Sequence, residues 1–338
     1  MSRYAIRRDA FGPYETVVLE DTRGGAKAVI ARQGAILLSW RVPFGGAMVD
    51  VTDGYASPEE FTIRKGGRAW IMAPFSNRLD NGQYEFGGTF HDLGVTDPVK
   101  RVILHGFLWS IVCDVAEEEA TDTMARVTLT TQALRPGAFK GYPFAVDLAV
   151  TFTMKANRLE VRLSARNVGD TDAPFGCGWH PYFKTSPNGI DHLKLSIPCR
   201  TVMMADDRLL PLPGPAAYCP IDQAPEVDFR PGRPNDGNVL GTRVIDRGFA
   251  DLQADADGWI RTRVEDPING MAICVFQERG LMHAFTGDTL PTRPRGALAL
   301  EPIEFMTNAF NRPECRAAIT LRPGRTRKFR FGAEVESR

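Results

Sequence analysis

A histidine lies inside an aromatic run in the stretch FGCGWHPYFK. The chain has only 5 histidines, and the imidazole of His180 is a group that donates or accepts a proton near neutral pH. Pro181 removes a backbone donor and restricts His180 to extended geometry, which predicts a break in a sheet. Since aromatic rings flank this break, we expect an opening in the sheet face that is lined by Trp179, Tyr182 and Phe183. Aromatic faces of this kind stack on the C–H face of a sugar ring. The alternative is a buried histidine bonded to a backbone carbonyl.

A second candidate for proton transfer is Glu301, in the stretch ALALEPIEFMTNAFN. The pattern predicts a small apolar strand that ends at Glu301 and Pro302. A carboxylate at the end of a buried strand needs partners or has a raised pKa, and both properties suit a general base. Glu304 is the competing candidate; we expect it in a loop after the proline, in a solvated or structural role.

Two polar residues precede a predicted hairpin in APFSNRLDNGQYEF. Asn77 and Arg78 lie just before the turn signal Asn81-Gly82. The guanidinium of Arg78 offers several donors in a rigid fork, which suits adjacent sugar hydroxyls or a carboxylate. The alternative is that Arg78 pairs with Asp80 and braces the turn.

Two weaker segments complete the candidate site. In ILHGFLW, Gly106 would let the backbone bend or a ligand approach beside His105, although a histidine among apolar residues is also compatible with a structural role. In RVIDRGFADL, two aspartates are possible ligand acceptors. Asp246 closes an apolar strand end and is the better candidate, whereas Asp251 also fits a turn cap.

The elements that must position these residues are predicted to be strands. Apolar and polar residues alternate strictly in FAVDLAVTFTM, RLEVRLSARN and KFRFGAEVE, as in strands with one buried face. Gly87-Gly88 predicts a hairpin turn, and KANR at 155–158 a tight link between two long strands. No helix-period segment exceeds two turns, and no GxGxxG or Walker loop is present. The pattern favours an all-β fold, a large antiparallel sandwich.

The organisation of the chain is predicted to be one domain over residues 1–338. A stretch rich in Pro, Gly and Asp, about 205–242, is compatible with a linker. Patterned strands on both sides show no shift in composition, so we expect a long surface excursion within the domain instead.

Composition narrows the choice of partners. Lys+Arg and Asp+Glu both number 41, and the absence of a basic block argues against nucleic acid. The opening MSRYAIRRDA lacks the apolar core of a signal peptide, and no apolar run approaches the ~18 residues that span a membrane. The 6 cysteines are scattered without metal-ligand spacing and fit reduced, mostly buried thiols. We expect a cytoplasmic protein with no metal site, no cofactor and no membrane partner.

Taken in order, five segments resemble the aldose 1-epimerase (galactose mutarotase) family: SNRLDNGQYEF, LHGF, GWHPYF, VIDRGFADL and LEPIEFMTNAFN. Each short motif is weak alone, but the ordered set with the His-Pro-Tyr-Phe core is specific. The flanking strands fit the same fold, so the resemblance covers nearly the whole chain.

The resemblance implies a supersandwich with a small sugar bound in a groove across one sheet, in a monomer or homodimer. It implies that His180 protonates the ring oxygen while Glu301 takes the proton of the C1 hydroxyl, with His105 assisting near the ring oxygen. We expect this acid and base on opposite sides of one sugar. The residues that are expected to bind the substrate are Arg78, Asn77, Asp246 and Trp179. The implied reaction exchanges the α and β anomers of a hexose.

Two departures from the family pattern bear on the substrate. Phe107 replaces the second glycine of the commoner His-Gly-Gly form, and Arg247 follows Asp246 where histidine is frequent. A mutarotase for hexose 6-phosphates or other acidic sugars is therefore an alternative. It would need a basic cluster, for which Arg243 with Arg247, or Arg293 with Arg295, are the candidates.

Two further classes of function remain as alternatives. A glycoside hydrolase needs two carboxylates about the scissile bond, and Asp246 with Glu301 would supply them but leave His180 without a role. A non-catalytic sugar sensor would keep the aromatic groove and Arg78, yet would not need both His180 and Glu301.

Overall fold

The computed structural model describes residues 2–232 and 237–337. Strands β1 to β9 are Tyr4–Phe11, Tyr14–Asp21, Lys27–Ala31, Ile36–Phe44, Ala47–Asp50, Trp70–Met72, Arg78–Asp80, Gln83–Phe86 and Thr89–Asp92. Strands β10 to β18 are Val102–Leu104, Asp114–Ala120, Ala125–Leu134, Val146–Lys155, Arg158–Asn167, Ala173–Pro174, Gly178–His180, Tyr182–Phe183 and Lys194–Ser196. Strands β19 to β27 are Thr201–Met203, Tyr218–Pro220, Asp246–Ala250, Ile260–Glu265, Met271–Gln277, Leu281–Phe285, Leu298–Ile303, Thr320–Leu321 and Thr326–Ser337.

Three antiparallel sheets contain most of these strands. The N-terminal sheet has the order β1-β2-β3-β4-β5. The back sheet has the order β11-β12-β13-β14-β27-β23-β22-β18. The site sheet has the order β20-β19-β21-β24-β25-β16-β6, and β17 also pairs with β25.

The hairpins predicted from the sequence are present. Strands β13 and β14 pair along their whole length and are joined by the predicted tight link after Lys155. Gly87 and Gly88, at φ 60° and 76°, turn the chain between β8 and β9, in a backbone region that other residues disfavour. Inward and outward positions alternate along β14 as the sequence pattern requires. In the described residues the α-helices are short, α1 (Pro58–Ile63) and α2 (Arg316–Ile319).

The site sheet and the back sheet pack face to face. Trp179 on β16 lies against Phe331 on β27, with ring centroids 5.7 Å apart. Buried apolar residues of both sheets, such as Leu300 and Val275, belong to one hydrophobic cluster. Burial of this apolar surface is the main stabilising contribution to such a core. The prediction of an all-β antiparallel sandwich is confirmed.

The excursion at 205–242 lies against the sheets that flank it in sequence, as far as it is described. It contains β20, which pairs with β19 at the edge of the site sheet. The amide of Leu195 donates to the carbonyl of Asn238 at 2.8 Å, which attaches the excursion to β18. Residues 233–236 of the excursion lie outside the described residues. The single-domain organisation of residues 1–338 stays a prediction.

Two predictions from composition concern burial and membrane segments. Of the cysteines, Cys113, Cys177, Cys199 and Cys274 are buried, as expected of structural thiols. In residues 2–232 and 237–337, no helix combines the length and apolar character that crossing a bilayer requires.

Candidate active site

Most of the side chains selected from the sequence meet in one place. A cleft of about 850 Å³ opens on the site sheet. It is lined by six of the seven candidates, Asn77, Arg78, His105, His180, Asp246 and Glu301. A cleft of this size is typical of small-molecule sites.

Strand register explains why residues far apart in sequence meet here. Strands β21, β24 and β25 are neighbours, and His283 on β24 lies opposite Glu301 on β25. Asp246 begins β21, opposite Phe285, and does not close an apolar strand as expected. Pro181 separates β16 from β17, both of which pair with β25, so the predicted break in the sheet is confirmed.

The two candidates for proton transfer lie side by side at the base of the cleft. His180 Nε2 is 3.3 Å from Glu301 Oε1, and these side chains are only 7% and 1% exposed. The expectation of an acid and a base on opposite sides of a sugar is wrong. In a cyclic hemiacetal, the hydroxyl oxygen O1 loses a proton and the ring oxygen O5 gains one. Both oxygens are bonded to C1, so two groups that reach them must be neighbours.

Burial moves the pKa values of this pair in opposite directions. Loss of hydration raises the pKa of the Glu301 carboxyl to about 7, against the positive charges of His283 and Arg78. Loss of hydration also lowers the pKa of His180 to about 3. Each shift favours the neutral form of its group. Below the Glu301 pKa of about 7 the pair therefore holds one exchangeable proton between a carboxyl and an imidazole, as acid–base exchange requires.

A polar network lies beside the pair and joins three strands. His283 Nε2 is 2.7 Å from Asp246 Oδ1, and Arg78 Nη2 donates to Asp246 Oδ2 at 3.3 Å. The side-chain oxygen of Asn77 accepts from Arg78 Nη1 at 2.9 Å. The alternative partner of Arg78, Asp80, instead pairs with Arg208 at 2.6 Å. The network fixes the Arg78 fork and the Asp246 carboxylate toward the cleft.

The charges in this network stabilise one another. Burial alone would raise the pKa of Asp246, but His283 and Arg78 hold it below its usual range. Burial would also lower the pKa of His283, but the carboxylates of Glu301 and Asp246 raise it. Asp246 is therefore a fixed anion and hydrogen-bond acceptor.

No group of three or more His, Cys, Asp or Glu side chains in the described part of the chain is placed to hold a metal ion.

His105 reaches the pair through a strained turn. Both His105 and Gly106 have left-handed backbones, at φ 64° and 69°. A Cβ at Gly106 would lie 2.1 Å from the carbonyl oxygen of Ala73, so only glycine fits there. The ring of His105 is edge-on to His180 with centroids 5.1 Å apart. Burial lowers its pKa well below the usual value, so the ring is neutral.

Trp179 does not line the cleft, and that expectation is wrong. Its side chain is 0% exposed and packs against Phe331 in the core between the sheets. Phe183 is also buried in that core, edge-on to Trp179. Alternate residues of a strand point to opposite faces, so His180 and Tyr182 face the cleft while their neighbours face the interior.

The two glutamates near Pro302 have different surroundings: Glu301 lines the cleft, and Glu304 pairs with two arginines away from it. Glu301 lies inside β25 and not at its end, because the strand continues to Ile303. Glu304 is buried rather than solvated: its carboxylate lies 2.7 Å from Arg279 Nη2 and 3.7 Å from Arg327 Nε. Glu304 therefore has a structural role, which was one of the two alternatives expected from the sequence.

His283 is the site residue that the sequence analysis missed. It lies in GLMHAF on β24, where Met282 and Ala284 are buried in the core. The alternation of this short strand puts His283 on the opposite face, and the chain has only 5 histidines to consider. Assigning each histidine to a face of its predicted strand would have identified His283 as a site residue.

The cations proposed for an acidic sugar are engaged elsewhere. Arg293 lies 3.2 Å from Asp53, and Arg295 is paired with Asp288 at 2.8 Å. Arg247 is 3.6 Å from Glu226. None of these, nor Arg243, is among the described residues that line the cleft, so neither candidate cluster faces it. The cations that do line it are Arg64, Lys65, Arg78 and Lys140.

The sequence is similar to one protein family and to two curated bacterial proteins. A family model described as aldose 1-epimerase matches residues 15–333. The uncharacterized protein YihR of Escherichia coli is 26% identical over 255 residues, which are 75% of this chain and 74% of YihR. The uncharacterized protein YphB of the same organism is 24% identical over 322 residues, 93% of this chain and 97% of YphB.

Solved structures share the fold at low sequence identity. The GalM/aldose epimerase homologue from C. elegans has a TM-score of 0.79 at 17% identity and covers 99% of both chains. Galactose 1-epimerase from Lactobacillus acidophilus has a TM-score of 0.78 at 18% identity, covering 100% of this chain and 99% of that one. A cleft on a mutarotase-like sandwich and a family match over nearly the whole sequence lead to one assignment. The chain belongs to the aldose 1-epimerase family, whose members are isomerases.

Proposed function

We propose that this protein interconverts the α and β anomers of a hexose by acid–base catalysis, with Glu301 and His180 as the catalytic residues. The observation that carries the proposal is the 3.3 Å approach of His180 Nε2 to Glu301 Oε1 at the base of the cleft. A base and an acid so placed reach O1 and the ring oxygen O5 of one pyranose together. Positioned acids and bases typically contribute about 10²–10⁴-fold each to a rate.

The reaction follows from these two groups. The reaction uses the form of the singly protonated pair in which the proton has moved from Glu301 to His180. Glu301 takes the proton of the O1 hydroxyl, the C1–O5 bond breaks, and His180 gives its proton to O5. The product is the open-chain aldehyde with a hydroxyl at C5. Rotation about C1–C2 presents the other carbonyl face, and both proton transfers then reverse as O5 attacks C1. Each group returns to its starting state, so the step is balanced in protons and electrons.

The neighbouring residues orient the sugar and set the charge of the pair. The guanidinium of Arg78, held by Asn77, offers donors to the sugar hydroxyls, and the carboxylate of Asp246 offers an acceptor. These contacts increase the rate by holding the substrate in a reactive geometry. His105 lies edge-on against His180, with ring centroids 5.1 Å apart, and in this scheme it assists His180 near the ring oxygen. His283 is a positioning residue: it holds Asp246 at 2.7 Å, and its charge keeps the pKa of Glu301 from rising further.

The two alternative classes fit this arrangement less well. A glycoside hydrolase needs one protonated and one ionised carboxyl about the scissile bond; Glu301 and Asp246 would supply them, but this scheme leaves His180, 3.3 Å from Glu301, without a role. A sugar sensor has no use for an acid and a base in contact. The pairing of His180 with Glu301 therefore favours anomer exchange.

The test is NMR exchange spectroscopy on the full chain with glucose and galactose. We expect the protein to speed exchange between the α and β signals in proportion to its concentration, above the enzyme-free rate. A chromogenic glycoside, incubated in parallel, should stay intact. Sugar binding without faster exchange would identify a sensor, and release of the chromophore would identify a hydrolase; either outcome contradicts the proposal.

The protonation of the pair predicts a pH profile. The active pair carries one proton, which is present below the Glu301 pKa of about 7 and lost as the pH rises through it. We expect kcat/KM for exchange to be level between about pH 5 and 6 and to fall by about tenfold per unit above about pH 8. NMR exchange with the enzyme-free rate subtracted at each pH measures it. A kcat/KM that increases steadily from about pH 7 to 9 would show that the doubly deprotonated pair is the active one.

A further inference from the structure

A loop in the wall of the cleft carries a carboxylate that the proposed reaction does not use. Residues 93–101, which we call the rim loop, connect β9 to β10 and contribute Leu93, Thr96 and Asp97 to the cleft lining. The amide of Asp97 donates to the carbonyl of Val102 at 3.0 Å, and its carbonyl accepts the Val102 amide at 3.2 Å. The backbone of Asp97 is therefore fixed to β10, the strand that leads to His105.

One oxygen of the Asp97 carboxylate holds the loop together, and the other is free. Oδ1 accepts the amides of Val99 and Lys100, both at 3.0 Å. Within residues 2–232 and 237–337, Oδ2 makes no hydrogen bond and no cation pairs with this carboxylate. The side chain is half-buried, and a carboxylate oxygen accepts hydrogen bonds from hydroxyl groups. Asp97 thus offers the cleft one acceptor in a fixed direction.

A turn of the 205–242 excursion lies against the rim loop. Its residues 205–211, which we call the clasp turn, are closed by a bridge between the two ends. Asp206 Oδ1 accepts the amides of Arg208 and Leu210, both at 2.9 Å. These bonds fix the backbone from which the Arg208 side chain extends.

Arg208 joins the clasp turn to the rim loop. Its Nε donates to the carbonyl of Lys100 at 2.8 Å, and its Nη2 donates to the carbonyl of Arg101 at 2.9 Å. Nη2 also donates to Asp80 Oδ1 at 2.6 Å, and Asp80 lies on β7, the strand that carries Arg78. A planar guanidinium holds several acceptors in fixed directions. One side chain of the excursion therefore ties the rim loop to a strand of the site.

We propose that Asp97 is a further substrate-binding residue that accepts a sugar hydroxyl, and that Arg208 is its positioning residue; the inference rests on the proposed function. Lys100 is the link between the two, because its amide donates to Asp97 and its carbonyl accepts from Arg208. Since the catalytic pair acts on O1 and O5, the acceptor at Asp97 is left for a hydroxyl at C2, C3 or C4. The excursion thus contributes to catalysis through substrate binding and not through proton transfer.

The test is NMR exchange on the full chain, with kcat and KM determined separately for glucose and galactose. Arg208→Ala should raise KM by about three- to tenfold and leave kcat within about twofold, because the groups that move protons are untouched. Asp97→Asn keeps the Oδ1 acceptor of the loop and should raise KM by a similar factor. The double variant should raise KM no further than the larger single change, since both act on one contact. KM does not depend on the fraction of protein that is folded.

Arg230→Ala and Asp257→Asn are the matched controls. Arg230 lies in the same excursion and pairs with Asp228 at 2.8 Å, and Asp257 Oδ1 accepts the amide of Trp259 at 3.1 Å in a similar turn. Neither residue lines the cleft, so both variants should keep KM within about twofold of wild type. An unchanged KM in Arg208→Ala, an equal change in the controls, or additive effects in the double variant would overturn the inference and leave the proposed function intact.

Glucose analogues that lack the hydroxyl at C2, C3 or C4 identify the contact. Asp97→Asn should raise KM for two of them and not for the third, whose missing hydroxyl is the partner of Asp97. Equal effects on all three analogues would contradict a hydroxyl contact. If the wild-type protein exchanges no sugar, the proposed function fails and calorimetric titration with glucose and galactose tests the site alone. A Kd that both Asp97→Asn and Arg208→Ala weaken would support it, and an unchanged Kd or absence of binding would refute it.

Discussion

Replacing Glu301 by glutamine is expected to lower kcat/KM for anomer exchange by about 10²–10⁴-fold, since an amide of the same shape has no basic oxygen to take the O1 proton. The fold should tolerate the change. Glu301 is buried with its pKa raised to about 7, so the native site already accommodates a neutral side chain. NMR exchange with glucose measures the rate, and thermal unfolding checks that the protein is intact. A Glu301→Gln protein that exchanges anomers at the wild-type rate would remove the base from the mechanism.

Glu304→Gln is the matched control for this experiment. It is the same substitution three positions away, on a buried glutamate that pairs with Arg279 at 2.7 Å on the other side of the sheet. We expect the free energy of unfolding to fall by about 1–3 kcal/mol, because the half-exposed Arg279 loses a charge-assisted partner. Exchange per folded molecule should stay within about twofold of wild type. If both variants lost activity equally, the effect of Glu301→Gln would be structural.

Replacing His180 by alanine is expected to lower kcat/KM by a similar factor, about 10²–10⁴-fold, because O5 then leaves C1 without a proton donor. The ring of His180 is almost fully buried, so its removal leaves a cavity beside Glu301. Added imidazole should enter this cavity and raise the rate of His180→Ala by about tenfold or more. The same imidazole should not raise the rate of Glu301→Gln. Titration of imidazole in the NMR exchange assay measures both responses.

His192→Ala controls for the loss of a partly buried histidine. His192 lies 3.2 Å from Asp266, outside the residues that line the cleft. Its removal should weaken stability by about 1–2 kcal/mol and leave exchange per folded molecule within about twofold of wild type. An His180→Ala protein as active as His192→Ala would assign the imidazole a structural role only. Equal acceleration of His180→Ala, Glu301→Gln and His192→Ala by imidazole would show free buffer catalysis, which would contradict the specific role of His180.

The strands of this protein were largely predictable because alternation is a local property. Along β13 and β14, burial follows a period of two, with the buried Thr151 of β13 as an exception. The turn at Gly87-Gly88 was readable for the same reason, since a left-handed turn selects glycine without reference to distant residues. Alternation applied through Pro181 would also have removed Trp179 from the candidate site, because His180 and Tyr182 share one face.

What the sequence by itself determined is the set of strands, their polar and apolar faces, and the ordered motifs around His180 and Glu301. Only the tertiary structure decided which strands are neighbours. The register of β24 against β25 brought His283 to Glu301, and long-range folding placed Arg64 rather than Arg293 in the cleft. The reason is that pairing between strands distant in sequence depends on the packing of both sheets, whereas alternation within one strand depends on that strand alone.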